Sequence, residues 1–94
     1  MINVARNAYG YNITIDAGFD ISTATTLTLN CKPRYGGSLK TITCSSASTT
    51  TVTAPVTQDF FNRLGYWDCQ LVASFASADR VGDKFIVNVE AQVA

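Results

Sequence analysis

Apolar and polar residues alternate along most of this 94-residue chain, and the alternation restricts its fold more than any other feature. In one run Ile13 and Ile15 are separated by a threonine, and in another Leu27 and Leu29 are. A period of two places successive side chains on opposite faces of an extended strand. The sequence therefore predicts strands, and the pattern recurs in six runs, at residues 11–16, 26–31, 39–44, 49–56, 67–75 and 85–92.

Six short strands separated by turns are typical of a β-sandwich or a small barrel. We predict an all-β, immunoglobulin-like β-sandwich of about 6–7 antiparallel strands in a single domain, residues 1–94. One segment breaks the period: Val56, Phe60 and Leu64 are spaced as on one face of a helix, which predicts one short helical turn. Residues 1–8 form either an N-terminal arm or the first edge strand of the sandwich.

Composition favours a surface that a partner covers. The chain is 47% hydrophobic and only 15% charged, and its formal net charge is zero. A small free-standing domain normally carries more charge, since little else keeps its molecules apart. The alternative is a domain with a large core and a Ser/Thr surface.

Several partners and compartments are disfavoured. The seven basic residues are scattered and balanced by seven acidic ones, so nucleic acid is not an expected partner. No run approaches the roughly 20 apolar residues of a membrane-spanning helix, so no membrane contact is expected. The N-terminus lacks the layout of a secretory signal, and three cysteines, an odd number, favour reduced thiols. We therefore expect folding in a cytoplasm.

Catalytic and metal chemistry are not expected. Histidine is absent and Glu90 is the only glutamate, which removes the commonest general base and metal ligand. Cys31, Cys44 and Cys69 lack the short paired spacing of a zinc site. We predict no enzyme activity, no catalytic residues, no metal site and no cofactor.

The run from Gly65 to Cys69 resembles the corner of immunoglobulin-like sandwiches, where an aromatic residue at the start of the sixth strand fixes the crossing between sheets. Trp67 takes the place of the usual tyrosine, and Cys69 falls where the second core cysteine would lie. The resemblance implies that Cys31 lies on the facing second strand. The Cys31–Cys69 separation is shorter than in antibody domains, and a core tryptophan of the third strand is missing.

The whole layout resembles the small β-sandwich virion proteins of tailed bacteriophages. It combines a Leu-x-Leu strand ending in proline and Gly-Gly, a Ser/Thr-rich middle, Gly-Tyr-Trp-Asp, and a terminal Phe-Ile-Val-Asn-Val strand. The N-terminal domain of baseplate upper proteins and head decoration subunits share this strand order. The resemblance implies a non-enzymatic structural protein of the virion, assembled in repeated copies in the bacterial host cytoplasm.

Three functions follow for such a chain. The first is a capsid decoration (cement) subunit that stabilises the head by contacts with the major capsid protein. The second is a tail or baseplate adaptor that docks fibres, and the third is an isolated ligand- or carbohydrate-binding domain with Trp67 or Tyr66 as a stacking platform. For a protein interface, we predict contacts through the N-terminal segment and exposed aromatic residues, namely Ile2, Val4, Tyr9, Tyr35 and Tyr66.

Overall fold

A computed structural model describes residues 2–91 as an all-β protein. Its strands are β1 (Ile2–Ala5), β2 (Asn12–Asp16), β3 (Thr26–Pro33), β4 (Lys40–Thr43), β5 (Ser45–Ser46), β6 (Thr51–Pro55), β7 (Gly65–Ser74), β8 (Asp79–Val81) and β9 (Phe85–Glu90). The six predicted strands correspond to β2, β3, β4, β6, β7 and β9. The additional strands β1, β5 and β8 have two to four residues each.

The strands form two sheets. In the large sheet the order is β1-β9-β7-β3-β4, and β8 pairs with the far part of β7. In the small sheet the order is β2-β6-β5. All pairs are antiparallel except one, since β1 runs parallel to β9 with Ile2 opposite Val87. The prediction of purely antiparallel strands is therefore wrong at this edge.

Alternate residues of both sheets fill one hydrophobic core. In β7, Trp67, Cys69, Leu71 and Ala73 are buried, and the residues between them lie on the outer face. Ile13 and Ile15 of β2 contribute from the small sheet. Within residues 2–91 this core buries no polar or charged residue. Burying each large aliphatic or aromatic side chain stabilises the fold by roughly 1.5–3 kcal/mol, so two sheets with one apolar face each are driven together.

The predicted helical turn is wrong: no helix forms within residues 2–91. The segment 56–64 contains a turn, closed by the Phe60 N–H donating to the Thr57 carbonyl at 3.2 Å. Asp59 has a φ of 61°, a left-handed conformation that interrupts a right-handed helix. Phe60 and Phe61, which are adjacent in sequence, are both buried in the core, whereas Leu64 is 53% exposed. The residues that are buried in this segment therefore do not follow the spacing of one helix face. No helix in this range is long and apolar enough to cross a membrane.

The cysteines are not arranged as the corner resemblance implies. Cys31 of β3 lies directly opposite Cys69 of β7 in the same sheet, not across the sandwich from it. Both are buried, and all three cysteines are free. The hydrogen bond to Cys69 and burial both raise the pKa of the Cys31 thiol, so it stays protonated.

Candidate interaction surface

Three of the predicted interface residues lie at the same end of the sandwich, where β3 ends and β7 begins. Tyr66 is the second residue of β7, and Tyr35 follows β3. Tyr9 lies in the loop after β1, which reaches this end because Ala5 is opposite Glu90, the last residue of β9. The three side chains are 41%, 77% and 59% exposed, respectively. We call this region the tyrosine end.

The other two predicted residues have a different position. Ile2 and Val4 belong to β1, pair with β9 and pack partly buried against the core. Of the two alternatives for the N-terminal segment, residues 2–5 form the edge strand, and Met1 lies outside the described residues. Within the N-terminal segment, the part that another chain could pair with is the outer edge of β1, the edge that does not face β9.

Exposed apolar side chains concentrate at the tyrosine end. Among residues 2–91 six large hydrophobic side chains are exposed, and five of them lie in the segments that meet here. Leu39 directly precedes β4, whose first residue, Lys40, is paired with Cys31 near the end of β3. Leu64 directly precedes β7. The five residues are Tyr9, Tyr35, Leu39, Leu64 and Tyr66, whereas Val81 lies in the other half.

Hydrogen bonds fix the loop of residues 56–64 beneath this surface. The indole Nε1 of Trp67 donates to the Arg63 carbonyl at 3.1 Å. The Lys40 ammonium donates to the carbonyls of Asp59 at 3.0 Å and Phe60 at 2.8 Å. In each of these bonds a side chain of the large sheet donates to a backbone carbonyl of the loop. The loop is therefore ordered before a partner binds.

Aromatic rings support the same loop from the core. The Phe61 ring meets the Trp67 ring edge to face, with centroids 5.2 Å apart, and the Phe60 ring meets Phe61 at 4.8 Å. Aromatic pairs in this geometry are stabilising beyond their buried area, by about 0.5–1.5 kcal/mol each. The floor of the tyrosine end is therefore continuous with the hydrophobic core.

The loop after β3 is held by a close approach that requires glycine. Gly37 has a φ of 88°, and a Cβ atom placed there would lie 2.9 Å from Cγ of Pro33 and 3.2 Å from Cδ of Arg63. Arg63 thus packs over this loop from the neighbouring segment. The loop that carries Tyr35 and the loop that carries Leu64 are in contact through this arginine.

Arg34 orders the exposed side of β7. Its guanidinium forms an ion pair with Asp68 at 2.8 Å and lies over the Tyr66 ring, 5.4 Å from the centroid. The ion pair lowers the pKa of the Asp68 carboxyl and raises that of Arg34. An exposed ion pair adds little to stability. Here the ion pair positions the guanidinium over one face of the Tyr66 ring.

The segments that meet at the tyrosine end carry more basic than acidic side chains. Residues 5–10, 32–40, 56–68 and 89–91 contain five basic residues (Arg6, Lys32, Arg34, Lys40 and Arg63) and three acidic ones (Asp59, Asp68 and Glu90), a net charge of +2. Lys84 lines a depression together with Leu39 and Asp68 and adds a further positive charge there. A partner of the tyrosine end therefore gains from acidic groups.

Sequence reasoning missed part of this surface. The alternation predicts Leu39 only as the first residue of a strand and Leu64 only as part of a helical stripe, and Arg34 is not among the predicted contacts. The segment 32–35, with two basic residues beside a tyrosine, was the one signal in the sequence. Nothing in the sequence indicates that this turn meets the segment 56–64.

The structure gives no support to a stacking platform at Trp67, because its ring is fully buried. No group of three or more metal-ligating side chains occurs within residues 2–91. No protein-family model matches the sequence, and no curated protein and no solved structure matches it.

Proposed function

We propose that this chain is a non-enzymatic structural subunit of a bacteriophage virion, a capsid decoration (cement) protein that binds a neighbouring virion protein through the tyrosine end. The observation that carries the binding role is the concentration of five exposed Tyr and Leu side chains around the loop 56–64, which Trp67 and Lys40 hold in place. Tyrosine supplies large contact area with few rotatable bonds, and prearranged loops lose little entropy on binding.

The virion assignment is supported by the resemblance of the sequence layout to phage β-sandwich subunits. The short axes of 24 and 20 Å suit a module that occupies a junction between larger subunits. The segments that meet at the tyrosine end carry a net charge of +2, which favours an acidic surface on the capsid protein.

We further propose that the sandwich is immunoglobulin-like. The small sheet β2-β6-β5 has the order of strands B, E and D, and β9-β7-β3-β4 has that of G, F, C and C′. Trp67 lies two residues before Cys69 on the strand equivalent to F, and its Nε1 bonds to a carbonyl four residues upstream. That bond resembles the tyrosine corner of such domains. An experimental structure superposed on a variable domain tests this assignment.

A capsid-binding experiment tests the function. Expanded capsids of the encoding phage, stripped of accessory proteins, are mixed with purified protein, and bound copies are counted across a titration. We expect saturable binding and capsids that resist heating better. A binding site at the tail tip in particle images, or binding that does not saturate, would overturn the decoration role.

Matched variants test the surface. Tyr35→Ala and Tyr66→Ala remove exposed rings at the tyrosine end, and Val81→Ser removes the exposed apolar side chain of the other half. A central tyrosine contributes about 2 kcal/mol to an interface, so each tyrosine variant weakens binding by roughly 30-fold. Val81→Ser leaves the affinity unchanged. Equal effects from all three variants contradict the proposed surface.

A further inference from the structure

A cleft opens on the side of the sandwich, between an edge of each sheet. Its volume is about 220 Å³. The small sheet contributes three consecutive residues of β2, and the large sheet contributes Ile2 of β1 and the start of β9. The lining residues are Ile2, Thr14, Ile15, Asp16, Asp83, Lys84 and Phe85.

The strand beside this cleft is an open edge. β2 pairs with β6 alone, and the bonds flanking the ladder run from the Val56 N–H to the Tyr11 carbonyl (2.9 Å) and from the Ala17 N–H to the Thr50 carbonyl (2.8 Å). In an antiparallel pair these bonds fall on alternate residues. Residues 11, 13, 15 and 17 therefore face β6, and the backbone N–H and C=O groups of residues 12, 14 and 16 point outward. No strand within residues 2–91 pairs with them.

The floor and the rim of the cleft differ in chemistry. Ile15 is buried, and Ile2 and Phe85 are half-buried, so the floor is apolar. Asp16, Asp83 and Lys84 lie among the lining residues and give a net charge of −1. A ligand that fills this cleft needs apolar groups on one side, and a positive charge at the rim is favoured.

We propose that this cleft accepts an extended segment of another polypeptide, which pairs with β2 as a fourth strand of the small sheet. Outward backbone donors and acceptors repeat every second residue, which is the spacing that another strand matches. Side chains that alternate along the added strand enter the cleft and contact Ile2, Ile15 and Phe85. The preferred segment thus has aliphatic residues at alternate positions and one basic residue near Asp16 and Asp83. This inference does not depend on the virion assignment.

A synthetic peptide tests the inference on the isolated protein. The probe is acetyl-Thr-Val-Thr-Val-Lys-Val-Thr-amide, added up to millimolar concentration while backbone amide signals are followed by NMR. We expect saturable shifts at Asn12, Thr14 and Asp16, and slower hydrogen exchange of those amides, with no saturable change along β4. Absence of these changes, or changes spread evenly over all exposed edges, overturns the proposal.

Two proline variants locate the pairing. Thr14→Pro removes an outward N–H of β2 and leaves the bonds to β6 intact, which is the one place where an edge strand tolerates proline. Thr41→Pro is the matched control, since Thr41 lies at the outward edge of β4 in the other sheet. We expect Thr14→Pro to weaken peptide binding about tenfold or more and Thr41→Pro to leave it unchanged. Equal behaviour of the two variants refutes pairing at β2.

A chemical variant of the probe avoids any effect on folding. The peptide is N-methylated either at its three valines or at its threonines, and each form is titrated into the unmodified protein. In a paired strand only one of these sets of N–H groups faces β2. One methylated peptide therefore loses binding and the other keeps it. Equal loss from both forms, or loss from neither, contradicts strand addition.

Discussion

Replacing Trp67 with phenylalanine tests whether one side chain links the core to the tyrosine end. Trp67 is fully buried and packs against Phe61, and its Nε1 donates the bond to the Arg63 carbonyl. Trp67→Phe removes three ring atoms, one of which is that donor. The remaining ring keeps most of the apolar contact, so the variant is expected to fold.

The magnitude follows from these losses. The two net carbon atoms lost give about 1.6 kcal/mol at about 0.8 kcal/mol each, and the cavity left behind adds on the order of 1 kcal/mol. The lost hydrogen bond adds about 1 kcal/mol, because the Arg63 carbonyl keeps no equivalent partner. We expect a loss of about 3–4 kcal/mol in the free energy of unfolding. A domain of this length has about 5–14 kcal/mol in total, so the native state persists with a much lower Tm, by roughly 12–30 °C.

Urea unfolding followed by far-UV circular dichroism measures this loss without relying on tryptophan fluorescence. The matched control is Tyr66→Phe, one residue away on the outer face of the same strand, which is expected to change stability by no more than about 0.5 kcal/mol. Hydrogen exchange at the Asn7 amide, which bonds to the Phe61 carbonyl at 3.0 Å, reports the loop and is expected to accelerate in Trp67→Phe. A loss below about 1 kcal/mol would refute the reasoning.

Three further predictions concern single sites. Gly37→Ala places a Cβ atom on a left-handed backbone and against Pro33, so we expect it to lower the free energy of unfolding by about 2–4 kcal/mol in thermal unfolding. Gly10→Ala is the control: its φ is also positive (81°), but no atom lies within 4 Å of the new Cβ, so we expect a loss of about 1–2 kcal/mol. In the native protein an aromatic disulfide reagent is expected to modify Cys31 and Cys69 only at the rate of unfolding, so a thiol count finds at most one fast cysteine, against three in denaturant. The pKa of Asp68 is lowered in the folded state, so its ion pair stabilises the fold above the unfolded-state pKa near 4, and this stabilisation is lost as pH falls through the lower folded-state pKa. We therefore expect the Tm difference between the native protein and Asp68→Asn to be constant from pH 5 to 7 and to shrink below pH 4.

Strand positions were predictable because alternation directly reports which side chains face the core. The burial of Trp67 and the exposure of Tyr66 follow from that parity alone. Very short strands carry too few residues to display a period, so β5 and β8 were missed. The helical prediction for the segment 56–64 is wrong although Val56, Phe60 and Leu64 have helical spacing. The backbone at Asp59 turns the opposite way, and tertiary packing of Phe61 decides the conformation.

The surfaces were less predictable than the strands because each depends on which segments meet. Tyr35 and Tyr66 were identified as exposed aromatics, but their union with Leu64 depends on Arg63 packing over the loop after β3. The cleft depends on β2 being an edge strand, a property of sheet order that local sequence does not contain. The alternation of apolar and polar residues therefore predicts which residues form the core, but it predicts the interface only in part.

The tyrosine end and the side cleft have no lining residue in common, which predicts that they act independently. Tyr66→Ala is expected to weaken capsid binding by roughly 30-fold and to leave peptide binding unchanged, because Tyr66 lies outside the cleft. Thr14→Pro is expected to do the reverse. Thr14 and Tyr66 belong to different sheets and have different strand partners, so the double variant is expected to combine both losses additively. If Thr14→Pro also weakens capsid binding while its thermal stability is intact, the capsid protein itself supplies the added strand, and the two surfaces form one interface.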